Sequence, residues 1–147
     1  MVIKTIKDAF PNMPKDESDL VKASVELWKL GSIDEIKDKV SPELFIVHVS
    51  MNMIGNHQCD GWRSIFYYHS QMLPYIPNAL DALCLTDLKS EFNKFIAIAS
   101  EFFDCDEPPE IVNEYLDNLD SLFDSVWGYS APQKGWGGVL KYIQDNL

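Results

Sequence analysis

Residues 110–127 read Glu110-Ile111-Val112-Asn113-Glu114-Tyr115-Leu116-Asp117-Asn118-Leu119-Asp120-Ser121-Leu122-Phe123-Asp124-Ser125-Val126-Trp127. Set on a helical wheel at ~100° per residue, Glu110, Glu114, Asp117, Asp120 and Asp124 fall within an arc of about 120°. Ile111, Val112, Tyr115, Leu116, Leu119, Leu122, Phe123 and Val126 fill the opposite arc. That is the 3.6-residue period of an amphipathic helix rather than the alternation of a strand. Pro108-Pro109 closes off what precedes it, and a Gly/Pro-punctuated stretch, Gly128 to Gly138, follows it.

The rest of the chain carries the same kind of signal. Asp16 to Asp19 caps an apolar run from Leu20 to Leu30, closed by Gly31. Ser32-Ile33-Asp34-Glu35 has the order of a capping box and opens a short helix to about Val40. Ser41-Pro42-Glu43 supplies an N-cap, a proline at the first helical position and an acid in the first turn. This helix is expected to run to about Met53, with Gly55-Asn56-His57 as a loop. Asp60-Gly61 then leads into an aromatic helix from Trp62 to His69, and Pro77 restarts the chain. Thr86-Asp87 caps a helix spaced by Leu88, Phe92, Phe95 and Ala99, and Val139 to Leu147 closes the chain. Strand signals are nearly absent. The expectation is one all-α domain of seven or eight helices over 1–147, with residues 1–15 a loosely ordered N-terminal segment.

Composition limits the roles. The 147 residues hold 23 Asp+Glu against 12 Lys+Arg, a formal charge of −11, with 46% apolar residues. Such a chain builds a core, and it is repelled by phosphate backbones and anionic lipid. Direct nucleic-acid binding and membrane binding are therefore not expected, and the favoured partner is basic. Cys59, Cys84 and Cys105 form no patterned set, and the N-terminus lacks a signal-peptide core, so a cytoplasmic protein is expected. The charge is localised. From Phe95 to Gln133 there are nine acids and no Lys or Arg, among them Glu101, Asp104, Asp106 and Glu107 before the helix. The remaining 108 residues are nearly neutral, at −2. Along the helix the five carboxylates span roughly 21 Å at ~1.5 Å rise per residue. Their mutual repulsion is worth ~0.2–0.5 kcal/mol per pair. An unbroken row of this pitch resembles a strand of phosphates and suits a basic groove. A solvated helix face with no partner is the plainer reading of the same residues.

Sites of chemistry are scarce. His57-Gln58-Cys59-Asp60, flanked by His48 and His69, is the only cluster of metal-ligand types, and its spacing matches no zinc pattern. Cys59 with His57 lacks an orienting third group for nucleophilic catalysis. Gly135-Trp136-Gly137-Gly138 is followed by no Lys-Ser/Thr, so it is not a phosphate loop. Carboxylates on an exposed helix face make poor general acids. No catalytic residue, metal or cofactor is expected. The aromatic segment around Trp62 reads as core, Arg63 as the partner of a neighbouring acid, and Trp136, in a Gly-rich loop, either as an exposed aromatic that anchors a contact or equally as a tucked-in one.

Several segments together resemble the bacterial DNA-mimic protein family, the helical domain at the C-terminus of double-stranded-DNA mimics. The place of its motif, roughly Asn-Gly-Gly-Phe-x-Gln-Phe/Tyr-Phe, is occupied by Cys59-Asp60-Gly61-Trp62-Arg63-Ser64-Ile65-Phe66, with Asp60, Trp62 and Ser64 among the departures from it. Ala79-Leu80-Asp81-Ala82-Leu83 matches the helix that follows. Leu116-Asp117-Asn118-Leu119-Asp120-Ser121-Leu122-Phe123-Asp124 keeps all but the Tyr of Leu-Asp-x-Leu-Asp-x-x-Phe-Tyr, and Tyr142-Ile143-Gln144-Asp145-Asn146 matches the closing Tyr-Ile-x-x-Asn. The similarity spans about residues 20–147. It implies an all-α fold, no catalysis, a homodimer in some members, and a carboxylate surface that occupies the DNA-binding face of a transcription factor. Asp117 and Asp120 match the motif directly, whereas Glu107, Glu110, Glu114 and Asp124 join that partner-binding face from the helical arc. Asp60, Gly61 and Trp62 form a structural turn. An immunity or antitoxin protein, acidic because it plugs the positive site of a nuclease toxin, fits the same electrostatics. A structural domain with no charge-driven partner is the third alternative.

Overall fold

The computed structural model describes residues 2–102, 107, 109–127 and 135–147. Among them are eight α-helices and no strand: α1 (Ile6–Ala9), α2 (Glu17–Trp28), α3 (Ile33–Lys39), α4 (Pro42–Tyr68), α5 (Ile76–Ala82), α6 (Thr86–Ala99), α7 (Glu110–Trp127) and α8 (Trp136–Asp145). Short 3-10 turns cover Ser70–Tyr75 and Ser100–Phe102. The all-α expectation holds. No helix among the described residues is long and apolar enough to cross a membrane. Cys105 and residues 128–134 lie outside the described residues.

Local chemistry sets most of the helix starts. Ser32 and Glu35 form a capping box at α3, with each side chain bonded to the other's backbone N–H. Ser41 accepts from the N–H of Leu44 at α4, with Pro42 in the first turn. Thr86-Asp87, by contrast, gives no side-chain cap, since the N-cap of α6 is Leu85. The α5 end is a Schellman turn. Leu85 N–H reaches Leu80 O at 2.9 Å and Cys84 N–H reaches Asp81 O at 3.0 Å, with Cys84 in the left-handed region at φ 60°. Residues 2–15 are tied down rather than loose: Thr5 and Asp8 form a capping box, Ile6 and Phe10 are buried, and Ser41 N–H bonds Lys4 O at 2.7 Å.

α4 is the axis on which α2, α5, α7 and α8 pack. Its length differs from the sequence expectation. Gly55-Asn56-His57 is no loop; the helix runs through it with Met53, Ile54 and His57 buried. Asn52 and Asn56 satisfy their amides by donating to the carbonyls of His48 and Asn52, at 2.8 and 2.7 Å. Tertiary burial overrides their weak helix propensity. Gly55 packs beside Trp136, whose ring lies 4.0 Å from where a Cβ would stand, an ordinary contact distance. The true break is six residues later, at Gly61 (φ 75°, ψ −174°).

Candidate interaction surface on helix α7

α7 lies antiparallel to α4, and four polar contacts fix the register. Gln58 Nε2 donates to Trp127 O at 2.7 Å, and Trp62 N–H donates to Asp120 Oδ1 at 2.7 Å. Arg63 Nη2 meets Asp117 Oδ1 at 3.3 Å, and Tyr67 Oη donates to Asn113 Oδ1 at 3.3 Å. Beneath them Val112, Leu116, Leu119, Phe123 and Trp127 are buried. Their stacking partners include Trp62, whose ring meets Phe123 edge-on at 4.7 Å.

The wheel places most of the acids correctly. Glu107, Glu110, Glu114, Asp117 and Asp124 are exposed. Asp120 differs. It is only half exposed, and its carboxylate turns inward onto the α4 break. The reason lies in the backbone. After Gly61 the second half of α4 begins anew, and its first N–H groups have no intrahelical acceptor. Asp120 supplies one from the neighbouring helix. A Cβ at residue 61 would stand 2.9 and 3.0 Å from its two oxygens, and the backbone there is open only to glycine. Asp60, Gly61 and Trp62 therefore make a structural kink, as expected of that turn, with Asp60 exposed and Trp62 fully buried.

The same carboxylate faces His57. Trp127 Nε1 donates to His57 Nδ1 at 2.9 Å, so the ring's single proton sits on Nε2. That nitrogen lies 3.4 Å from Asp120 Oδ1, a charge contact longer than a formed hydrogen bond. Burial lowers the His57 pKa, and Asp120 and Asp124 pull it partly back. His48, also buried, is lowered to about 4 by desolvation. Nothing in this arrangement resembles a nucleophile with its base, because the free lone pair of His57 is taken by an indole. Cys59 and Cys84 are exposed thiols. Among the described residues no group of three His, Cys, Asp or Glu side chains is placed to hold a metal ion.

Two features go beyond the sequence reading. Of the two alternatives for Trp136 the buried one is taken, and its Nε1 donates to Gln58 Oε1 at 2.9 Å. The Gln58 amide thus ties the end of α7 to the start of α8. Gly135 lets them meet: a Cβ there would lie 2.6 Å from that of Trp127. The second is the division of the carboxylate row. With Asp117 paired to Arg63 and Asp120 turned inward, the free charge separates into Glu110 and Glu114 on one side and Asp124 on the other. Among the described residues Arg63 is the one Lys or Arg in ion-pair contact with α7.

No protein-family model matches the chain, and neither a curated protein nor a solved structure matches it.

Proposed function

We propose that this is a non-enzymatic binding protein that uses the exposed carboxylates of α7 to engage a basic protein surface. The observation that carries the reading is the contrast between the two faces of one helix. Five apolar side chains are buried on one side, while Glu110, Glu114, Asp117 and Asp124 face solvent on the other, and among the described residues a single cation, Arg63, pairs with them. Such a surface raises the local potential to favour cations and steers basic partners. The resemblance to the DNA-mimic family supports a DNA-binding protein as that partner, with the mimicry carried by two carboxylate groups flanking the Arg63–Asp117 pair. A basic nuclease would dock by the same electrostatics.

The test is binding of the full chain to purified basic DNA-binding proteins and basic nucleases of its host, at low salt and along a salt gradient. The reading expects an affinity that falls steeply with ionic strength and is lost in Glu110→Lys/Glu114→Lys/Asp124→Lys. Competition by duplex DNA separates a mimic from a partner held elsewhere. Binding that is insensitive to the triple reversal removes α7 as the interface.

A further inference from the structure

Trp127, His57, Asp120 and Trp62 form a chain of donors and acceptors running from the end of α7 through the core to the α4 break. The Trp127 indole N–H needs a lone pair on His57 Nδ1, at 2.9 Å, and that pair exists only in the neutral ring. His57 is 3% exposed, so water offers the indole no substitute. Among the described residues the charged groups acting on the ring are Asp120 and Asp124, both on α7. Its other ring neighbours are the aromatic side chains of Trp62, Phe123 and Trp127, at 5.7–5.8 Å. A second proton on the ring would therefore set N–H against N–H at Trp127 while drawing Nε2 towards Asp120.

We propose that this line is an acid-sensitive latch between α4 and α7, in which protonation of His57 Nδ1 expels the Trp127 indole and frees the C-terminal end of α7. The proton comes from solvent hydronium, an N–H bond forming at Nδ1 as an O–H bond of the hydronium breaks, and no other covalent bond changes. The two carboxylates and the indole oppose each other. The acids favour the imidazolium, and the indole favours the neutral ring. Release at Trp127 also strains the Gln58 bridge to Trp136, so the start of α8 loosens with it.

The experiment is 15N NMR of the histidine rings and indole N–H groups in the full chain, titrated from pH 8 downward. A His48→Gln background removes the second buried titration. His57 is expected as the Nε2–H tautomer at neutral pH, with its midpoint below 6.5. The Trp127 indole signal should lose its hydrogen-bonded shift along the same curve. Trp127→Phe, which deletes the opposing donor, should raise the His57 midpoint by about one pH unit, and Asp120→Asn should lower it by a similar amount. Should Trp127→Phe fail to fold, the tautomer and the Asp120→Asn shift still decide the matter. An Nδ1–H tautomer, an indole signal unmoved by His57 protonation, or an Asp120→Asn midpoint that rises would each overturn the latch.

Discussion

Gly61→Ala isolates the kink on which α7 is hung. The substitution has two effects that the geometry keeps apart. At φ 75° and ψ −174° an alanine occupies backbone space that is essentially reserved for glycine, worth ~1–3 kcal/mol of strain. Its Cβ also meets Asp120 at 2.9 and 3.0 Å, so the carboxylate must move off the Trp62 N–H. Loss of a charge-assisted bond to that backbone group adds ~1.5–3 kcal/mol. The sum, ~2.5–6 kcal/mol, is a large fraction of the ~5–15 kcal/mol that holds a domain together. Urea unfolding followed by tryptophan fluorescence should show a midpoint lower by roughly 1.7–4 M, taking a slope near ~1.5 kcal/mol/M.

Gly55→Ala is the control on the same helix. Its Cβ would meet nothing closer than 4.0 Å, and its backbone is helical, so it should gain ~0.5–1 kcal/mol. In an Asp120→Ala background the carboxylate clash is gone and Gly61→Ala should retain only its strain component. If Gly61→Ala unfolds within 1 kcal/mol of the parent, or matches Gly55→Ala, the kink is not a glycine-specified, carboxylate-held break and the reasoning fails.

Other perturbations give independent checks. Both buried histidines have folded pKa values below the ordinary one, so the unfolded chain takes up their protons first and stability falls as the pH drops below ~6.5. His48, lowered to about 4, accounts for about 3 kcal/mol of that loss between pH 6.5 and 4, and unfolding curves for His48→Gln should be correspondingly flatter across the window. Gln58→Ala strips a partner from both the Trp127 carbonyl and the Trp136 indole; a cost of about 2–3 kcal/mol is expected, with faster hydrogen exchange at the start of α8. Cys84→Gly relieves a left-handed residue at the end of α5 and should stabilise by ~0.5–1 kcal/mol in thermal melts.

What the sequence revealed and what it hid divide along one physical line. Capping chemistry is local, so the starts of α3 and α4 follow directly from Ser32, Glu35, Ser41 and Pro42. The boundaries of α7 follow from Pro108-Pro109 and from an uninterrupted period. Gly55-Asn56-His57 misled because propensity there is outweighed by burial of neighbours on a helix that four others cover. Trp136 stayed open between exposed and buried for the same reason, since the group that accepts its indole hydrogen bond, Gln58, stands 78 residues away. Asp120 is the sharpest instance. On the helical wheel it is one carboxylate of five, indistinguishable in charge and arc from Asp117 or Asp124. What sets it apart is a backbone N–H on another helix, exposed by a glycine 59 positions earlier in the chain. No periodicity encodes that pairing.

The position of Asp120 also bears on how the charge of this chain should be understood. An acidic residue is usually assigned either to folding or to binding, and here one side chain sits on the boundary. Its exposed flank adds to the potential of the α7 face, while its Oδ1 holds the α4 break and faces a buried imidazole. Neutralising it would therefore change both a surface and a core, and a loss of partner binding in Asp120→Asn alone would not identify the interface. Glu110 and Glu114 are exposed, and their reversal alters the surface while leaving α4 and α7 in register, whereas Asp124 also acts on the buried His57 ring. The two sets of variants separate an acidic helix that binds from an acidic helix that folds. Asp117 is the intermediate case: its partner Arg63 is itself exposed, so the pair is worth at most ~1 kcal/mol to folding. If the α7 face binds a basic surface, Arg63→Ala should strengthen that binding by releasing Asp117, with little change in stability. A weakened complex would mean that Arg63 itself touches the partner, which a purely anionic interface does not allow.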